Sequence, residues 1–324
     1  MKSIVAGPRL LALAVCALLS LSTAAQTTGP EPPTRPSTEP AQNSSKPIRM
    51  DVSLVLVNMT VADPNDRLVT GLEKENFRVF EDGKEQELVT LSSEDVPISI
   101  GVIFDASGSM SDKIGRARQA ALQFLKSANP RDEFFMVSFN DRAELASPFT
   151  SSVEELQNRM MFTAAKGETA LLDAIYLGLT QMRGASNHKR ALLVISDGGD
   201  NHSRYNEKDI RNFLQEADCQ LYVMGVFDAN DMGRTDEERY GPTLLSELAE
   251  MTGGRVFPVS NLNDLPDIAS KIGAELRNQY VLGYRPSDAR RDGAWRKIKV
   301  KVVPPKGLPP LSVYAKTGYR APAD

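Results

Sequence analysis

Five oxygen-bearing side chains are the ones whose types and spacing could do chemistry in this chain. Asp105-Ala106-Ser107-Gly108-Ser109 sets a carboxylate and two hydroxyls at alternate positions directly after an apolar run; Thr169 stands just before a helical pattern, and Asp197 directly follows another apolar run. All five are hard donors, and no His or Cys intrudes in the stretches 105–109, 167–174 and 196–200. That composition argues against a zinc-type site and suits Mg²⁺ or Mn²⁺, or else Ca²⁺. An ion held by neutral hydroxyls keeps more net positive charge than one wrapped in carboxylates, and octahedral geometry leaves a position for an outside oxygen. A partner's Asp or Glu suits that position. Gly108 between the serines and Gly198 after Asp197 allow the chain to turn tightly. Asp173 reads either as a support behind the donors or as an exposed acid in the first turn of a helix. Asp200, Asn201 and His202 read as a solvated loop at the rim.

Other chemistries lack their parts. Ser107-Gly108-Ser109-Met110-Ser111 does not fit the G-x-S-x-G elbow, and only His188 and His202 are present as imidazole bases. A phosphoaspartyl nucleophile usually has a second acid two positions on, where this chain has Ser107. No G-x-x-x-x-G-K occurs. No catalytic residue is therefore assigned, and the reading is non-enzymatic. Ser and Asp also cap helices, so each stretch alone is ambiguous; the three in order, on matching elements, point to one site.

The elements that must position these residues begin at Pro97. Apolar strands at 98–104, 133–139, 191–195, 221–227 and 255–258 alternate with helical patterns at 113–128, 154–160, 171–183, 209–216, 243–251 and 265–277. Continuous apolar strands between helices predict an α/β, doubly wound, mostly parallel sheet covered on both faces. Ligands bind such sheets at the carboxyl edge of the strands, where all three stretches would meet. On either side the pattern is β: 48–95, with an Asp82-Gly83 hairpin signal, and 279–320. In the first, two apolar registers (Val52, Leu54 and Leu56, then Val57, Met59 and Val61) suggest a bulge. Neither flank is long enough to sustain a core by itself. Together they predict a smaller antiparallel β-sandwich into which the α/β unit is inserted; the alternatives are two separate appendages or extensions of the central sheet. The helix 265–277 runs into the strand 280–284 through Asn278 and Gln279 alone, so the β part would feel any shift of that helix.

The D-x-S-x-S of Asp105, Ser107 and Ser109, with a distant Thr169 and a distant Asp197, resembles the metal-ion-dependent adhesion site (MIDAS) of the von Willebrand factor A-domain (VWFA) superfamily, across 97–278. The flanks, notably 71–79, Glu81-Asp82-Gly83-Lys84 and 279–284, look like those of bacterial secreted VWFA-related proteins. The resemblance implies that the hydroxyls of Ser107, Ser109 and Thr169 touch the metal while Asp105 and Asp197 act largely through water. It also implies a function in adhesion or assembly, with an acidic residue of a protein partner completing the metal's shell. A structural envelope scaffold with a vestigial site, and a metal-dependent hydrolase, are the alternatives.

Composition agrees with a packed protein: of 324 residues 41% are hydrophobic and 25% charged, and the formal charge is -4. With 38 basic against 42 acidic residues there is no global excess to bind nucleic acid. Lys2 and Arg9, an apolar run over 10–21 and the small residues up to Ala25 read as a signal peptide over 1–25, placing the protein outside the cytoplasm, periplasmic or secreted. A lipoprotein reading through Cys16 is disfavoured by the bulky Val15 before it. The Pro-rich 26–47 reads as a linker. The cut would leave Cys219 as the one cysteine, a small buried hydrophobe. The basic C-terminal strands offer a membrane or polysaccharide contact, but Lys297, Lys299 and Lys301 alternate with Ile298, Val300 and Val302, which reads better as the outer face of a strand whose lysines protect a sheet edge.

Overall fold

A computed structural model describes residues 54–226, 236–259 and 261–323. The expected signal peptide, the linker and residues 48–53 lie outside the described residues. The chain forms β1 (Val55–Ala62), β2 (Phe77–Glu81) and β3 (Lys84–Ser92) before the alternating region begins. That region comprises β4 (Ile98–Asp105), α1 (Ile114–Lys126), β5 (Glu133–Phe139), β6 (Ala143–Thr150), α2 (Val153–Phe162), α3 (Leu171–Met182) and β7 (Lys189–Ser196). It continues through α4 (Glu207–Glu216), β8 (Gln220–Gly225), α5 (Asp236–Thr252), β9 (Val256–Pro258) and α6 (Leu265–Arg277). The last strands are β10 (Tyr280–Arg285), β11 (Trp295–Val302), β12 (Ser312–Ala315) and β13 (Gly318–Arg320).

The alternating region builds a six-stranded sheet in the order β6-β5-β4-β7-β8-β9. All its pairs are parallel except β5 with the edge strand β6. Every residue of β4 is buried, as the continuous apolar run requires of a strand covered twice. Ile100, Val102 and Phe104 pack with Phe124 of α1 and Ile272 and Leu276 of α6 on one face. Ile103 packs with Ile175 and Leu179 of α3 and Leu245 and Leu248 of α5 on the other. The strand β6 was not expected: Ala143–Thr150 has no continuous apolar run, carries Pro148, and leaves most of its residues partly exposed; it tolerates a proline because it lies at the edge.

The flanking strands form one seven-stranded antiparallel sheet, β12-β1-β10-β3-β2-β11-β13, rather than the two layers of a sandwich. Its edge strands β12 and β13 are joined by Lys316 and Thr317 alone. A flat sheet would hold its edges roughly 29 Å apart at about 4.8 Å per strand, whereas three residue steps reach only about 11 Å. The sheet therefore curls on itself, and Ile298 N donates to Thr317 O at 2.8 Å, extending the β11–β13 ladder into the link between the two edges. Val57, Met59, Val61, Phe77, Val79, Leu282 and Ile298 fill the interior with the rings of Tyr280 and Tyr284. Each buried phenol finds a partner: Tyr280 Oη donates to Val69 O at 3.1 Å and accepts from Leu72 N at 2.9 Å, and Tyr284 Oη donates to Glu81 Oε2 at 2.6 Å.

Two details of the first reading change. The register of β1 on β10 is continuous from Val55↔Tyr284 to Met59↔Tyr280, so β1 has no bulge; the irregularity is in β10 against β3, between Gly283 and Tyr284. Leu54 and Leu56 are apolar because they lie outside, over the bare backbone of Gly283, where a Cβ would stand 3.3 Å from Leu56 Cδ2. The strand β11 pairs with β2 on one side and β13 on the other, so its exposed lysines protect no edge; Lys301 Nζ instead stands 4.9 Å over the Phe80 ring.

A buried polar cluster joins the curled sheet to the α/β unit. Glu275 of α6, fully buried, accepts from Tyr222 Oη at 3.1 Å and pairs with Arg255 Nη1 at 3.0 Å. Arg255 reaches on to Asp66 Oδ1 at 2.6 Å and lies 4.0 Å over the Tyr314 ring. Gln279 Nε2 donates to Tyr222 Oη at 3.0 Å. Burial raises the Glu275 carboxyl and opposes its ionisation, while the Arg255 charge and these hydrogen bonds favour it.

At the amino edge of the sheet Lys189 is buried and donates to Leu276 O, next to Glu275 in the chain. Burial, with the nearby Arg277 charge, brings its ammonium down to about 8 from an ordinary 10.5. Between those values the unfolded chain binds more protons at this site than the folded one, so this residue adds stability as pH rises through the window. Chemical denaturation from pH 8 to 10.5 should show a gain on the order of 3 kcal/mol in the wild type relative to Lys189→Met. Parallel profiles for the two proteins would show that the ammonium is not penalised there.

Candidate metal centre

The strand β4 ends in Asp105 at the carboxyl edge, and the chain folds back over that carboxylate. Asp105 Oδ1 accepts from Ser107 N at 2.9 Å and Ser107 Oγ at 2.6 Å, and Oδ2 accepts from Ser196 Oγ at 2.5 Å. Ser107 Oγ lies 3.0 Å from Ser109 Oγ. Asp105, Ser107 and Ser109 thus form one continuous cluster of donors.

Asp197 arrives from β7, beside β4 in the sheet. Its Oδ2 lies 3.3 Å from Lys113 Nζ, while its Oδ1 is buried without a partner. Ser196 ties the two loops together, since its hydroxyl donates to Asp105 and accepts from Gly198 N at 3.0 Å. Gly198 has φ +88, open to glycine and strained for other residues. Behind it α5 approaches so closely that a Cβ at Gly241 would lie 1.7 Å from Gly198 O. Burial, then the charge of Asp197, push the Asp105 carboxyl up to about 7.

Thr169 is buried between these two loops. Its N–H donates to Asn201 Oδ1 at 2.9 Å, and its carbonyl accepts from Asn201 N at 3.0 Å and His202 N at 3.1 Å. The segment leading to it is stitched to the Asp105 loop by Gly108 N to Gly167 O and Lys166 N to Ala106 O, both 2.9 Å. All five residues singled out in the sequence therefore reach the same edge.

The surrounding residues have more definite tasks than the sequence suggested. Asp200 is not a solvated rim residue: its Oδ1 accepts from Leu171 N at 2.8 Å and Ser203 Oγ at 2.6 Å, capping α3, and burial raises its carboxyl. Asn201 clamps Thr169 and donates to Glu168 Oε2 at 2.9 Å. Asp173 is buried, not an exposed helix acid; it accepts from Arg204 N at 2.9 Å and Tyr205 N at 3.0 Å, fastening the 203–205 loop to α3. Ser196 and Lys113 went unread. Ser196 had a signal, since it closes a buried strand directly before Asp197, whereas nothing in the sequence places Lys113 against Asp197.

Two exposed apolar residues precede the loop that leads to Thr169. The strand β6 returns the chain to the amino edge (Phe134↔Thr150), and α2 climbs back about 15 Å over its ten residues. Its end leaves Met161 61% and Phe162 89% exposed, four residues before the Lys166 contact to Ala106.

Among the described residues no group of three or more His, Cys, Asp or Glu gathers as metal ligands. The candidate site has a different donor set, with two carboxylates and hydroxyls for the rest. Hard neutral donors plus an orphaned, buried Asp197 Oδ1 fit a small divalent cation, and an unpartnered buried carboxylate oxygen is otherwise costly.

A family model described as von Willebrand factor type A domain matches residues 100–199. Among curated proteins, inter-alpha-trypsin inhibitor heavy chain H4 of Homo sapiens is 27% identical over 212 residues, covering 60% of this chain and 22% of that protein. The chain thus spans less than a quarter of that relative's length. Among solved structures, a von Willebrand factor type A protein from Catenulispora acidiphila is 12% identical, covering 83% of this chain and 75% of that one, with a TM-score of 0.49. The PilB minor pilin from Streptococcus sanguinis is 14% identical, covering 57% of this chain and 62% of that one, with a TM-score of 0.46. Residues 100–199 thus match the von Willebrand factor type A domain model, and the chain has homology to other proteins that contain such a domain.

Proposed function

We propose that this chain is an exported, non-enzymatic interaction module that binds a protein partner through a divalent cation held by Asp105, Ser107, Ser109, Thr169 and Asp197. The observation that carries the reading is the gathering of Asp105, Ser107 and Ser109 in one hydrogen-bonded cluster beside the orphaned Asp197 Oδ1. When bound, Mg²⁺ or Mn²⁺ would supply an electrophilic position open to a carboxylate oxygen. The chain's own part is to orient the donors. Ser196 fixes the Asp105 carboxylate, Asn201 holds the Thr169 backbone, and the Gly108–Gly167 bond sets the two loops side by side. The exposed Met161 and Phe162 fit a partner whose Asp or Glu is flanked by an apolar side chain.

The test has two steps. Calorimetry should show one Mn²⁺ site in the wild type and none in Asp105→Ala. Capture of a partner from envelope extract should then require Mg²⁺, reverse with chelator, and weaken in Phe162→Ala without loss of metal binding. Capture indifferent to chelator would favour the scaffold reading with a vestigial site.

A further inference from the structure

We infer that Lys113 is a built-in counterion of this centre, its ammonium standing beside Asp197 in the metal-free protein and leaving that carboxylate when a divalent ion is taken up. The inference rests on the metal reading above and adds to it a residue that tunes loading.

Two carboxylates, Asp105 and Asp197, are buried at the same edge. Asp105 is satisfied by hydroxyl and amide donors, none of them charged. Lys113 pairs with Asp197 at 3.3 Å, and its side chain is 18% exposed, so the pair is largely shielded from water. A buried carboxylate left without a compensating charge is strongly destabilising, which gives the ammonium a clear role whenever no cation is bound there. Its backbone is fixed. Lys113 N donates to Met110 O at 2.9 Å, and Lys113 O accepts from Arg116 N and Ala117 N at 3.0 Å, opening α1. The side chain, by contrast, is a flexible stem carrying a compact point charge, and the neighbouring Ser111 and Asp112 are exposed. The ammonium can therefore swing to solvent while the loop stays in place. Like charges a few ångströms apart in a shielded site repel strongly, so this lysine and a divalent cation compete for the same carboxylate.

The counterion role gives the substitution two opposite effects, which a bystander lysine would not. In the full chain Lys113→Gln should bind Mn²⁺ about tenfold more tightly by calorimetry, equivalent to about 1.4 kcal/mol. In EDTA the same variant should melt at a lower temperature than the wild type. Lys113→Arg, which keeps the charge, should stay near the wild type in both measurements, and Lys113→Met serves as a second neutral variant should the glutamine fold poorly. Equal or weaker Mn²⁺ affinity in the neutral variants, with the wild type binding normally, would overturn the counterion role alone. Absence of binding in the wild type and both neutral variants would overturn the metal reading as well.

Discussion

Removal of residues 280–324 should unravel β1–β3 while the α/β unit keeps its fold. The deletion takes both neighbours of β1 (β10 and β12), one neighbour of β3 and one of β2, leaving only the β2–β3 hairpin paired. A lone hairpin is marginal in water, and Val57, Met59, Val61, Phe77 and Val79 would lose their cover. Limited proteolysis followed by mass spectrometry should find cuts throughout 54–92 in the truncated protein and protection over 98–277. Protection retained in 54–92 would show that the first β segment has a core of its own, contrary to the strand order.

The second large effect should come from the polar junction. Glu275→Ala leaves Arg255 without its fully buried partner and Tyr222 without its acceptor. Breaking a buried ion pair from one side costs about 3–5 kcal/mol, which for a unit of this size lowers Tm on the order of 10 °C. Glu275→Gln, which retains an acceptor for Tyr222, should lose less. Glu275→Met combined with Arg255→Met should lose less than the sum of the single variants, because the pair is coupled. Additive losses would mean that Arg255 gains its stability from Asp66 and Tyr314 instead.

The parts of this fold that were legible in the sequence are those built on strong periodicity. The fully buried β4 reads as an unbroken apolar run, α6 runs over 265–277 as its pattern indicates, and Asp82-Gly83 adopts the two positive φ values, 47 and 84, of its hairpin signal. The misses have local causes. The strand β6 has no continuous apolar run and carries Pro148, so its identity comes from pairing with β5 and not from its own residues. The β pattern over 279–320 does not show that the chain divides β12 from β13 at Lys316 and Thr317, where the closing of the sheet turns it. The apolar Leu54 and Leu56 mimic a second register because their partner, Gly283, lies more than 200 positions away. At the site, Asp105, Ser107, Ser109, Thr169 and Asp197 follow elements of strong pattern, which is why their meeting place could be read. Lys113 and the clamps made by Asp173, Asp200 and Asn201 depend on loop paths that no periodicity encodes.

The pairing of Ser92 with Val281 has a consequence for the order in which the molecule is made. The β3 and β10 strands are neighbours in the curled sheet, yet closing a flexible loop of about 190 residues between them carries an entropic cost. That cost is avoided once the α/β unit has folded, because its own structure then delivers the two strands side by side. During synthesis at roughly 5–20 residues per second, β1–β3 wait on the order of 10–40 s for β10. The strands β1–β3, made before the α/β unit, are thus completed after it, and that unit acts as the internal template on which they are finished.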